Sequence, residues 1–192
     1  MRAMVALILA WALAGGVAAQ LSPDARLIEA AERGDVRTVR DLLAAGASVR
    51  SRDAQQRTAL VAATYGNQPA VARVLIDAGA DVNAQDNLQN SAYLLAGARG
   101  HLEILRMTLA AGADLKSTNR FGGTALIPAC HYGHVETVRE LLKTKVDVDH
   151  VNNLGWTALL EAVILGNGGA AHIEIVRLLL QAKARTDIAD RD

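Results

Sequence analysis

The chain has 192 residues, 51% of them hydrophobic and 3% aromatic, with 20 Lys+Arg set against 20 Asp+Glu and a single cysteine. Balanced charge excludes the sequence-independent pull toward DNA or RNA that clustered Lys and Arg create, so nucleic acid is not an expected partner. The lone Cys130 excludes an internal disulfide, and stability has to come from packed apolar faces.

The first predicted element is a signal peptide over residues 1–19. Arg2 gives a positive start, Ala3 to Leu13 is an apolar run, and Gly15-Gly16-Val17-Ala18-Ala19 supplies small residues around a cut after Ala19. The run is shorter than the roughly 20 apolar residues that cross a bilayer, so no membrane span is expected in the mature chain. A mature protein starting near Gln20, periplasmic or secreted, follows. With Arg2 gone, 19 Lys+Arg face 20 Asp+Glu, a net charge of −1 with His neutral.

From there the chain repeats every 33 residues: Thr58-Ala59-Leu60, Ser91-Ala92-Tyr93, Thr124-Ala125-Leu126 and Thr157-Ala158-Leu159 stand in register. A second phrase follows, Ala78-Gly79-Ala80-Asp81 and Ala111-Gly112-Ala113-Asp114, with a looser version ending at Val146-Asp147. Such a period marks an array in which each unit buries its apolar face against its neighbours. The first unit, 22–56, opens on Ser22-Pro23, a helix-start signature, and Glu29, Glu32, Arg33, Arg37 and Arg40 keep its outer side wet, as an end cap requires. Units 57–89, 90–122, 123–155 and 156–192 follow, all within one domain over 20–192.

Each unit carries two short apolar runs at helical spacing, for example Leu94, Leu95 and Ala98, then Leu102, Ile104, Leu105 and Leu109. A polar junction such as Arg99-Gly100-His101 or Tyr132-Gly133-His134 separates them, and a polar stretch that must turn back follows the second. The predicted fold is all-α: a solenoid of five stacked helix-turn-helix units with projecting hairpin loops. His101 and His134 share one repeat position, which predicts that each serves the start of its own second helix.

Unit five departs from the period. Asn167-Gly168-Gly169-Ala170-Ala171 are extra residues between its two helices, either a tolerated surface insertion or a contact element near the aromatic residues. Its second helix is strongly apolar, and Ile175 and Leu179 are expected to await a further repeat. Asp190-Arg191-Asp192 resembles a loop leading into one. The pattern favours a chain that continues in its gene over one whose face is covered by dimerisation, and predicts a 192-residue form that self-associates or frays at its end.

The two phrases resemble those of the ankyrin-repeat family, whose unit reads approximately T-P-L-H-x-A-x-x-x-G-H and then V-V-x-x-L-L-x-x-G-A-D; the likeness covers residues 22 to 192. Ala59, Ala92, Ala125 and Ala158 replace the Pro, and Val61, Leu94, Ile127 and Leu160 replace the His. The family's Thr–His lattice is thus absent, apolar packing is expected in its place, and Thr is left to cap the first helix through its hydroxyl. The insertion in unit five is similar to those of bacterial exported ankyrin proteins. The resemblance implies a periplasmic adaptor, supporting an oxidative-stress enzyme such as a catalase or neutralising an exported toxin.

No serine sits in a nucleophile setting such as G-x-S-x-G, and the periodic Asp81, Asp114 and Asp147 fit a structural turn, so catalysis and a cofactor are not expected. A metal- or haem-binding accessory protein using His131, His134 and Cys130 is the alternative of a different class. Against it, zinc wants four converging ligands, and Cys130 falls in the core pattern of its helix. The resemblance implies that an unidentified protein partner is contacted by the hairpin tips and the ends of the first helices. On this chain those positions carry Tyr65, Leu88, Arg99, Arg120, Phe121, His131, Tyr132, Leu154, Trp156, Ile164 and Leu165. Four of the five aromatic residues after the leader, Tyr65, Phe121, Tyr132 and Trp156, fall there. Aromatic and Arg side chains dominate binding hot spots.

Overall fold

The computed structural model describes residues 21–188. The predicted signal peptide and the Asp190-Arg191-Asp192 segment lie outside the described residues. Within them the chain is helical, in five pairs: α1 (Pro23–Arg33) with α2 (Val36–Ala44), α3 (Ala59–Tyr65) with α4 (Pro69–Asp77), α5 (Ala92–Arg99) with α6 (Leu102–Ala110), α7 (Leu126–His131) with α8 (Val135–Leu141), and α9 (Ala158–Ile164) with α10 (Ala170–Gln181). First helices pack on first helices of the next pair and second on second, so one apolar core runs the length of the stack.

Local chemistry starts each helix where it does. Ser22 Oγ accepts from the Ala25 N–H at 3.2 Å, with Pro23 supplying a preset φ in the first turn. Thr58, Ser91 and Thr157 cap α3, α5 and α9 by accepting from Val61, Leu94 and Leu160 N–H at 3.3, 3.2 and 3.2 Å. Unit four breaks the expectation: Thr124 makes no cap, its buried Oγ1 has no partner, and α7 begins late at Leu126. The late start follows from Pro128. In the other units the residue at its position donates to the cap carbonyl, as Ala62 does to Thr58 O at 2.9 Å and Leu95 to Ser91 O at 2.9 Å. Proline has no N–H to give.

The substituted positions of the first phrase are core. Ala59, Ala92, Ala125 and Ala158 are buried, as are Val61, Leu94 and Ile127. Tyr93 is fully buried with its hydroxyl unpartnered, and burial raises its pKa far above the ordinary tyrosine value. The expected turn role of the periodic aspartates holds: Asp81, Asp114 and Asp147 Oδ1 each accept from the N–H two residues on, at 2.9, 2.9 and 3.1 Å.

The junction histidines do not serve their own helices. Neither His101 nor His134 caps through its side chain. Instead two side chains at this position reach back one unit, His172 Nε2 lying 2.9 Å from His131 O and Gln68 Nε2 donating to Glu32 O at 3.5 Å, whereas His101 Nε2 is buried without a partner. The His134 ring sits only 2.7 Å from where a Cβ on Gly100 would project.

Two expectations for unit five are corrected. Of the extra residues, Ala170 and Ala171 enter α10, which has 12 residues against 9 in α6, so only Asn167 to Gly169 form loop. Ile175 and Leu179 are buried rather than waiting for a further repeat. Ile173 and Leu180, at i and i+7, stay exposed, as does Val163, while Val176 between them is partly buried against the core.

Candidate functional site: the concave groove

Four acidic or amide residues build the hairpin tips, one per repeat. Asp53, Asp86, Asn119 and Asn152 each close the loop through their own N–H, to Arg57, Asn90, Gly123 and Trp156 O at 3.0–3.1 Å. Each side-chain oxygen also accepts two backbone N–H groups across the tip; Asp86 Oδ1 takes Leu88 at 2.8 Å and Asn90 at 2.9 Å, and Asn152 Oδ1 takes Leu154 at 2.9 Å and Trp156 at 3.0 Å. The tip turns through a left-handed residue at Gln56, Gln89, Gly122 and Gly155. Tips are joined to one another, Asn87 N–H to Gln55 O at 3.0 Å and Asn153 N–H to Phe121 O at 2.9 Å.

This scaffold projects one side chain per tip at the same register position: Leu88, Phe121 and Leu154, exposed at 43%, 52% and 58%. Opposite them stand the ends of the first helices. A groove of about 810 Å³ between the two rows is lined by Tyr65, Leu88, Asn90, Arg99, Arg120, Phe121 and Tyr132, with Leu95, Ala98, His101, Asn119 and His134. A second compartment of about 400 Å³ is lined by Ile127, Pro128, His131, Glu161, Leu154, Trp156 and Leu165. Ala98, Asn119, Phe121 and Tyr132 belong to both, so the two are continuous.

Ten of the eleven expected contact residues therefore come together. Ile164 does not: it is exposed at the end of α9 but lines neither compartment. Trp156 is half-buried in the second compartment. The insertion lines no part of the groove; Gly168 instead borders a hollow on the outer face of unit five with Val163, Ile173 and Val176.

Tyr65 is held rather than free. Its hydroxyl donates to Asp86 Oδ2 at 3.0 Å and accepts from Asn90 Nδ2 at 3.3 Å, while burial and that carboxylate raise its pKa. The Arg99 guanidinium lies 4.8 Å from its ring centroid, and Arg120 lies 4.7 Å from that of Phe121. His131 Nδ1 lies 2.7 Å from Glu161 Oε2, and Asn152 Nδ2 donates to Glu161 Oε1 at 3.3 Å. Glu161 was not among the expected residues, although a carboxylate inside the apolar phrase Ala158 to Ala162 was its visible signal. Likewise Asn119 and Asn152 were legible as an Asp/Asn position recurring with the period.

The metal alternative finds no site in this geometry. Cys130 is fully buried and burial raises its thiol pKa, His131 is engaged by Glu161, and His134 packs against Gly100. Among the described residues no three His, Cys, Asp or Glu side chains converge.

The fold and groove can be set beside known proteins. No curated protein matches this sequence. The crystal structure of an ankyrin repeat domain from Acinetobacter baumannii AYE is 57% identical, covers 87% of this chain and 85% of its own, and superposes with a TM-score of 0.84. Another crystallised ankyrin repeat protein is 39% identical over 90% of this chain and 87% of its own, with a TM-score of 0.84. The family model for ankyrin repeats matches in three overlapping copies, over residues 8–86, 27–119 and 88–192. Ankyrin repeats generally mediate protein–protein interaction and are typically not catalytic. With a matching family model along nearly all of its length and the same stacked helix pairs, the chain belongs to the ankyrin repeat family.

Proposed function

We propose that this chain is an exported, non-catalytic adaptor that binds a protein partner in the groove between its hairpin tips and the ends of its first helices. The observation that carries the reading is the tip row: Leu88, Phe121 and Leu154 stand exposed at one register position, facing Tyr132 and Leu165 across a continuous hollow. Nothing in the stack requires large apolar side chains there, since Gln55 fills the same position in unit two. Clustered exposed apolar surface of this kind marks interaction sites.

Export to the periplasm, and service there to an oxidative-stress enzyme or against an exported toxin, is the biological setting this reading favours. The leader pattern over residues 1–19 supports it. N-terminal sequencing of protein from its host tests the location: a start near Gln20 is expected, and a cytoplasmic protein still beginning at Met1 overturns it. For the groove, partner capture from periplasmic extract is compared between the natural chain and Phe121→Ala/Trp156→Ala. We expect Trp156→Ala alone to weaken binding by about 2 kcal/mol with little change in thermal stability. Lost stability with unchanged affinity would make the ring a packing element.

A further inference from the structure

The groove has an electrostatic sign as well as a shape. Among the described residues the one carboxylate that lines it, Glu161, is committed to His131 and Asn152, and Asp86, behind Tyr65, is committed to that hydroxyl and two backbone N–H groups. The cations are not. Among the described residues neither Arg99 nor Arg120 forms an ion pair. Each lies over a ring, Arg99 also held by a 3.3 Å bond from Nη1 to Tyr65 O, which orders the guanidinium before any partner arrives. Arg57, the next cation along, is spent on Asp53 and Glu32. Beside the two free cations, the compartment between Leu154 and Trp156 offers a seat for one large apolar side chain.

We infer that the occupant is an acidic segment of a partner protein, with carboxylates on Arg99 and Arg120 and a neighbouring large apolar side chain between Leu154 and Trp156. This rests on the groove being the partner surface. Guanidinium forks bond carboxylates in pairs, and the ordering already present reduces the entropy lost on binding. Arginine beside aromatic rings also suits stacked nucleobases, but a strand needs a track of cations along its backbone, and among the described residues these two are the only arginines or lysines lining the groove.

The test is a displayed library of short random peptides selected on the full chain, counter-selected on the Phe121→Ala/Trp156→Ala protein. Labelled winners are then titrated against the natural chain, Arg99→Gln/Arg120→Gln and, in parallel, with a labelled oligothymidylate. Circular dichroism checks that the variants stay folded. Expected are peptides pairing Asp or Glu with Leu, Phe or Trp, whose affinity falls about tenfold or more in Arg99→Gln/Arg120→Gln and weakens with salt as screening predicts. Groove-dependent peptides that are neutral or basic, or acidic ones indifferent to the arginine changes, overturn the acidic occupant and leave the groove standing. Failure to find any binder that needs Phe121 and Trp156 overturns both. Tight oligothymidylate binding lost in the arginine variant replaces the protein partner by nucleic acid.

Discussion

Thr124 and Pro128 illustrate how one residue changes the worth of another. Thr58, Ser91 and Thr157 satisfy an orphan N–H at a helix start, and removing such a cap costs about 1 kcal/mol. Thr124 occupies the equivalent place but bonds nothing, leaving a buried hydroxyl unsatisfied, which is itself unfavourable. Thr157→Val is accordingly expected to lower stability by about 1 kcal/mol, whereas Thr124→Val should be neutral or stabilising. Urea melts of the two variants decide the matter. Equal losses would mean that Thr124 makes a cap in solution.

At the level of the elements, the turns and junctions carry the exceptions to the repeat. The position after the second helix is left-handed in Gly46, Gly79 and Gly112, and unit five forces Lys183 into the same region at φ 64. A non-glycine residue there costs about 1–2 kcal/mol. Lys183→Gly should therefore stabilise unit five by about 1 kcal/mol, read as a raised melting temperature; an unchanged or lowered value would show that the strain is absent. The junction histidines make a second case. Burial pushes the His101 and His134 imidazoles below their ordinary 6.5, so the folded state favours the neutral ring. Their contribution is intact above pH 6.5, where both states are neutral, and is lost as the pH falls from there through the folded pKa, because the unfolded chain takes up protons first. His101→Gln/His134→Gln, borrowing the residue that unit two already uses as Gln68, should flatten the fall in melting temperature between about pH 7 and pH 5. A variant curve parallel to the natural one in that window would exclude these rings as its cause.

For the whole molecule, stability is a sum over neighbour interfaces, and the two ends are unequal. Unit one turns charged residues outward, while unit five shows Val163, Ile173 and Leu180 to solvent. Its α10 is buried on one side only, by Ile175, Leu178 and Leu179. Hydrogen exchange on a monomeric sample should find α9 and α10 least protected, and α3 to α6, packed on both sides, most. Protection of α10 equal to that of α5 would show that the exposed face needs no cover.

The 33-residue register by itself determined the helix pairs, their order and the buried Ala positions, whereas the eleven expected groove residues came from the contact positions that the resemblance to ankyrin repeats implies, carried from unit to unit by that register. A stack repeats every contact with the period, so a position once placed is placed in all units. What only the tertiary structure decided lay where one unit acts on another or where the repeat is interrupted. The reach of His172 back to His131, the idle Thr124 above Pro128, Ile175 turned inward and the Glu161–His131 pair all depend on which neighbour lies within a few ångströms. Periodicity assigns a residue to a face, but distances across the interface settle whether its polar atoms find partners and which of its charges remain free.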